Sequence, residues 1–139
     1  MKPKVKHLFF LAVMAVFLTV AAGPAPVQPD VQIKVVTDLP ATMNVGESYT
    51  MEVLVTSNIT FINAIAMPSA FFPGRYVVSQ GGGDLAHAGT SAPLYITFTA
   101  KDSTAELPDG VAPVAVSVGV RYPGGIVVSE RFDRYIAVP

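Results

Sequence analysis

The sequence predicts an all-β fold, a two-sheet antiparallel sandwich of about seven strands behind an N-terminal signal-peptide helix. Three observations predict it. Beyond residue 30, apolar residues recur at every second position in run after run. No window of 11 residues there carries a 3.6-residue apolar stripe. Pro, Gly, Asn and Asp fall between the alternating runs, where turns require them.

The chain opens on an export signal. Lys2, Lys4 and Lys6 form a positive start, Leu8 to Val20 is apolar except for Thr19, and Val20-Ala21-Ala22 supplies small residues for a signal peptidase. Residues 1–22 are therefore expected to be the signal, cut after Ala22 or kept as an anchor. The apolar run falls short of the roughly 20 residues that span a bilayer comfortably. No cysteine follows it, so a lipoprotein anchor is excluded. Residues 23–30, "GPAPVQPD", hold three prolines and read as an extended tether. Residues 31–139 are expected to form one domain.

Each strand has its own signature. "DVQIKVV" alternates at Val31, Ile33 and Val35. "SYTMEVLVTS" sets Tyr49, Met51, Val53 and Val55 against Thr50, Glu52, Leu54 and Thr56, with Leu54 asking for cover on the polar face. "TFINAIAM" is apolar on both faces and suits a central strand. "RYVVSQ" is short and suits an edge. "YITFTA" points Ile96, Phe98 and Ala100 inward. "PVAVSVGVRY" does the same with Val114, Val116, Val118, Val120 and Tyr122. "IVVSERFDRYIAV" changes register near Glu130 to Phe132, where a bulge is expected. Turns are read at "NVGES", "PDG" and "YPGG", the last closing a hairpin. This grammar is that of an immunoglobulin-like sandwich, without the Cys-Trp-Cys signature of antibody domains.

Composition removes several functions. From residue 23 onward six basic residues face ten acidic ones, a formal charge of −4, and the arginines are scattered. No nucleic-acid partner is expected from such a surface. With no cysteine, thiolate zinc, iron–sulfur and thiol-nucleophile chemistry are excluded.

"SQGGGDLAH", Ser79 to His87, holds three consecutive glycines, Asp84 and the one histidine after the signal. A phosphate loop needs a following Lys-Ser/Thr and a helix, and neither is present. The segment reads as a loose connection or a partner-contact loop. His87 alone is a poor zinc site. A triad of Ser79, His87 and Asp84 or Asp102 lacks an elbow motif and an oxyanion loop. Asp102, Glu106 and Asp109 share one connection, a weak calcium lead against a solvated acidic turn. No metal or other cofactor is expected. "NIT" at 58–60 is a glycosylation sequon that matters only if the export route glycosylates.

"AMPSAFFPGRY" carries Phe71, Phe72, Arg75 and Tyr76 between and beside two prolines. Aromatics with Arg on an irregular segment are the ingredients of an interface hot spot. They are equally the plug for one end of a sandwich. Two adjacent Phe in an extended chain point opposite ways, so one of them is expected at the surface.

"LPATMNVGESYTMEVLVTS" resembles the opening of bacterial and archaeal cell-surface immunoglobulin-like modules, in which a V-G-E turn leads to a Y-T-x-x-V-x-V strand. The run from "APLYITFTAKDSTAELPDG" to "RFDRYIAV" is similar to their closing strands. These are the modules of S-layer-associated, CARDB-type and related envelope proteins. The resemblance spans about 100 residues and rests on strand and turn order; the middle, Pro68 to Ala92, departs from it. It implies a non-catalytic domain that binds protein or carbohydrate, or that builds surface structure.

The expectation is an exported, non-enzymatic module, periplasmic, cell-surface or extracellular, binding an envelope or surface protein or glycan. Its contacts would be Phe71, Phe72, Arg75 and Tyr76, with Asp84 and His87 in the second loop. Membrane contact is expected only through an uncleaved signal. The alternative is a structural subunit of an S-layer or filament type, oligomerising through the "VQIKVV" strand.

Overall fold

The alternating runs become strands in a computed structural model that describes residues 27–139. The signal segment and the first part of the tether lie outside the described residues. Eight strands follow: β1 (Val31–Thr37), β2 (Ser48–Phe61), β3 (Asn63–Ala70), β4 (Val77–Ser79), β5 (Asp84–Ala86), β6 (Gly89–Ala100), β7 (Ala112–Arg121) and β8 (Val127–Ile136). No helix occurs among the described residues.

The strands form two antiparallel sheets, ordered β1-β2-β6-β4 and β5-β3-β7-β8. With β5 set aside, this is the strand order of an immunoglobulin-like sandwich. Inward residues follow the period of two. Met51, Val53 and Val55 from β2 and Leu94, Ile96 and Phe98 from β6 face Val114, Val116, Val118 and Val120 from β7. Each such side chain contributes about 1.5–3 kcal/mol on leaving water.

After β1 the chain leaves the first sheet. Residues 41–43 run parallel to the end of β8, where Ala137 N–H donates to Ala41 O and Met43 N–H donates to Ala137 O, both at 2.9 Å. One end of the sandwich is sealed there by Met43, Val138 and Thr104. At the other end Phe61 is buried and the Tyr122 hydroxyl meets Ser57 Oγ at 2.7 Å.

Four expectations need correction. Tyr49 is 39% exposed, because β2 overshoots the core at its start. "TFINAIAM" is two strands: the chain crosses between sheets at Ile62, whose N–H donates to Arg121 O at 2.7 Å. An alternating pattern reads the same on both sides of such a crossing, and the outer-face Ile65 and Met67 stay exposed. β8 carries no bulge; its pairs run unbroken from Ala112↔Ile136 to Arg121↔Val127. Glu130 takes the inward parity but lies at the open edge of the sheet, so nothing forces a register change.

The fourth correction is β5, an eighth strand inside the glycine segment. It pairs with β3 through Ala64↔Ala86, Ile65↔Leu85 and Ala66↔Asp84. Gly83 makes this approach possible. Its φ is +125°, and a Cβ there would lie 2.5 Å from Ala66 O. The first strand is paired within its own chain, from Val31↔Ser57 to Thr37↔Glu52, so only its outer edge is free.

Candidate functional site

The segment between β3 and β4 is built on a turn. Arg75 N–H donates to Phe72 O at 3.2 Å, with Pro73 and Gly74 at the two central positions. Gly74 has φ +74°, the left-handed value a type II turn requires after its proline. The chain bends at the two phenylalanines rather than running extended, so their rings touch edge-on while differing in exposure. Phe71 is 74% exposed; Phe72 is half-buried and packs against the core.

Tyr76 organises what lies beneath. It is 3% exposed and has φ +63°, a backbone state that L-residues rarely adopt. Its contacts hold it there. Its carbonyl accepts N–H bonds from Lys101 at 2.6 Å and Asp102 at 3.3 Å. Its hydroxyl donates to Glu106 Oε1 at 2.6 Å. Its ring meets Phe72 edge-on at 5.2 Å, and the Arg75 guanidinium lies 4.6 Å from the ring centre. The Glu106 carboxylate, and secondly burial, push the Tyr76 phenol above its ordinary pKa.

The acidic connection 101–111 therefore joins the aromatic segment. Arg75 bonds Glu106 through Nη2 and lies 3.5 Å from Asp102 Oδ2 through Nε. Two of the three carboxylates considered for calcium are turned to a guanidinium. Among the described residues no group of three or more His, Asp or Glu converges on a point that could hold a metal. The result is a column, Glu106–Tyr76–Phe72–Phe71, with Arg75 alongside and one free ring at the top. Phe71 is anchored by its own N–H, which donates to Pro113 O at 3.2 Å, and by its edge-on contact with Phe72 at 5.0 Å. Shallow depressions lie along the segment, the first of them beside Phe71. One is lined by Ala70, Pro113, Arg131 and Asp133, the other by Pro68, Pro73, Val78 and Lys101.

Asp84 and His87 do not join this column. Asp84 pairs with Ala66, five residues before Phe71 on the same strand run, about 17 Å along the sheet. Its carboxylate accepts N–H bonds from Leu85 at 3.0 Å and from Tyr95 at 2.8 Å, which ties β5 to the exposed flank of β6. His87 is exposed beyond β5. The Ser79 hydroxyl donates to Gly81 O at 3.4 Å, within its own loop. Asn58 of the sequon is exposed, and its Oδ1 accepts the Asp30 N–H at 2.7 Å.

One residue escaped sequence reading. Thr104 is the sole polar side chain fully buried among the described residues, 1% exposed. Its hydroxyl donates to Gly110 O at 2.6 Å and accepts the Val138 N–H at 2.9 Å. It thereby sets the loop that presents Asp102 and Glu106. A threonine in a polar loop carries no sequence signal of such a role.

No family model matches the chain, and no curated protein matches it either. Among solved structures, one chain of the complex between zinc 2-glycoprotein and prolactin inducible protein from human seminal plasma aligns at a TM-score of 0.49 with 13% identity. That alignment covers 77% of this chain and 93% of the other. Spo0M, a sporulation control protein from Bacillus subtilis, aligns at 0.39 with 18% identity, over 78% of this chain and 49% of its own. The fold of this chain is the immunoglobulin-like sandwich of its own strand order.

Proposed function

We propose that this chain is an exported, non-catalytic binding module of the cell envelope or surface, and that its contact is a protein seated on Phe71. Export rests on Lys2, Lys4, Lys6 and the apolar run Leu8 to Val20. The observation that carries the contact is a 74%-exposed phenylalanine held on a fixed base. A ring already fixed by Phe72 and by the backbone bond to Pro113 loses little freedom when covered. Arg131 and Asp133 line the depression beside the ring with charge of both signs, the pattern of an aromatic anchor beside a polar border at protein interfaces.

The test uses the chain purified from exporting cells, as wild type and as Phe71→Ala. Both are immobilised and challenged with a native envelope extract and, separately, with a glycan panel. The expected result is a protein retained by the wild type and lost with Phe71→Ala, the melting temperatures agreeing. Retention of glycans alone would replace the protein partner by a carbohydrate one. Equal retention by both forms would end the Phe71 assignment.

A further inference from the structure

β8 ends its sheet, and the middle of the strand is charged. Ala137 uses its N–H and C=O on segment 41–43, away from β7, whereas Ile126 O accepts Tyr122 N–H from β7's side. In a strand of unbroken register these directions alternate. Ser129, Arg131, Asp133 and Tyr135 therefore turn their backbone groups to the open edge. Segment 41–43 covers that edge at Ala137 and leaves the stretch before it free.

Along that stretch the sequence reads Glu130-Arg131-Phe132-Asp133-Arg134. The signs run −+ before Phe132 and −+ after it, so the stretch is complementary to its own reversal. We propose that two copies of this chain pair antiparallel through β8, centred on Phe132. Reversal about that residue sets Arg131 against Asp133 of the second copy and Glu130 against Arg134 of the second copy, each twice. Ser129 then faces Tyr135, and Phe132 faces itself. Odd residues meet odd residues, so the backbone groups that point outward meet as hydrogen-bonded pairs.

Scattered charge on an edge strand ordinarily guards it against pairing. Here the order of signs turns every directly opposed charge pair into an attraction, and opposed charges across an antiparallel pair stabilise it. Within one chain Arg131 Nε already meets Asp133 Oδ1 at 2.9 Å, Arg134 Nε meets Asp38 Oδ1 at 2.8 Å, and Arg134 Nη1 donates to Asp133 O. Glu130 has no ion-pair partner among the described residues. The Asp133 carbonyl keeps a second lone pair for the incoming N–H. The dimer would join the two β5-β3-β7-β8 sheets into one continuous sheet of eight strands.

The experiment is light scattering after size exclusion, over a wide concentration range, on the chain purified from exporting cells. The wild type should approach twice the chain mass as concentration rises, and added salt should shift it back. Arg131→Asp alone, and Asp133→Arg alone, should each weaken the dimer about tenfold or more, since two attractions become repulsions. An equimolar mixture of the two variants should dimerise again, which requires both to be folded. The double change Arg131→Asp with Asp133→Arg, which preserves the intrachain pair, should dimerise like the wild type. A mass of one chain at every concentration overturns the proposal. So does a dimer that Arg131→Asp leaves unchanged, or a mixture that stays monomeric.

Discussion

At the residue scale the site turns on Tyr76. Its φ of +63° is tolerated because the backbone carbonyl, the hydroxyl and the ring are each engaged. The hydroxyl gives a pH signature. Glu106, and then burial, raise the phenol's pKa in the fold, so the folded state holds that proton more tightly than the unfolded chain. The stabilisation is complete below the ordinary tyrosine pKa near 10 and drains away as pH climbs through the raised value. Denaturant melts at rising pH should show this alkaline loss, and Tyr76→Phe should flatten it. Asp38 behaves oppositely: its hydrogen bond to Arg134 lowers its pKa, so its contribution is lost as pH falls below the usual carboxylate range. The aromatic segment was legible as a segment, because Phe, Arg and Pro were adjacent. Its partner was not. Glu106 reads as a calcium candidate from its acidic neighbours, and nothing local announces that Arg75, 31 residues earlier, folds onto it.

At the element scale the long strands were legible and the short ones were not. β6 and β7 each bury one face, and period two records that directly. β5 is three residues long and hangs on two features outside any periodicity: the absent side chain of Gly83 and the carboxylate of Asp84. Gly83→Val should clash with Ala66 O and strain the backbone, destabilising the domain by more than about 1 kcal/mol and detaching β5. Amide exchange at Tyr95, whose N–H Asp84 holds, should accelerate. Gly82→Ala meets nothing within 4 Å and serves as the silent neighbour. If both substitutions behave alike, close packing at Gly83 is not what holds β5. The crossing at Ile62 was hidden for another reason: both strands alternate, and only the change of sheet separates them.

At the scale of the whole molecule, alternation and turns sufficed for class and layering, because a half-buried strand has few other ways to satisfy itself. The closure of the sandwich end was out of reach. It depends on Thr104, which ties the 101–111 loop to the chain segment after β8. Thr104→Val keeps the volume and leaves Val138 N–H and Gly110 O without that partner. Such buried losses cost about 1–3 kcal/mol, measurable as a lower denaturation midpoint with an unchanged slope. The same loop carries Glu106, so retention of the partner by Phe71 should weaken in this variant too. Intact retention would uncouple the end seal from the contact.

The bond between the Tyr76 hydroxyl and Glu106 has an optical consequence. The chain has no tryptophan and five tyrosines, so its ultraviolet emission is tyrosine emission alone. A carboxylate that accepts the phenol's hydrogen quenches that phenol's emission, so Tyr76 should emit weakly while the column stands. Tyr95 and Tyr135, on the outside, and Tyr122, whose hydroxyl meets Ser57, should supply most of the light. Tyrosine emission should therefore brighten when the base of the Phe71 column opens, an unlabelled readout of that opening.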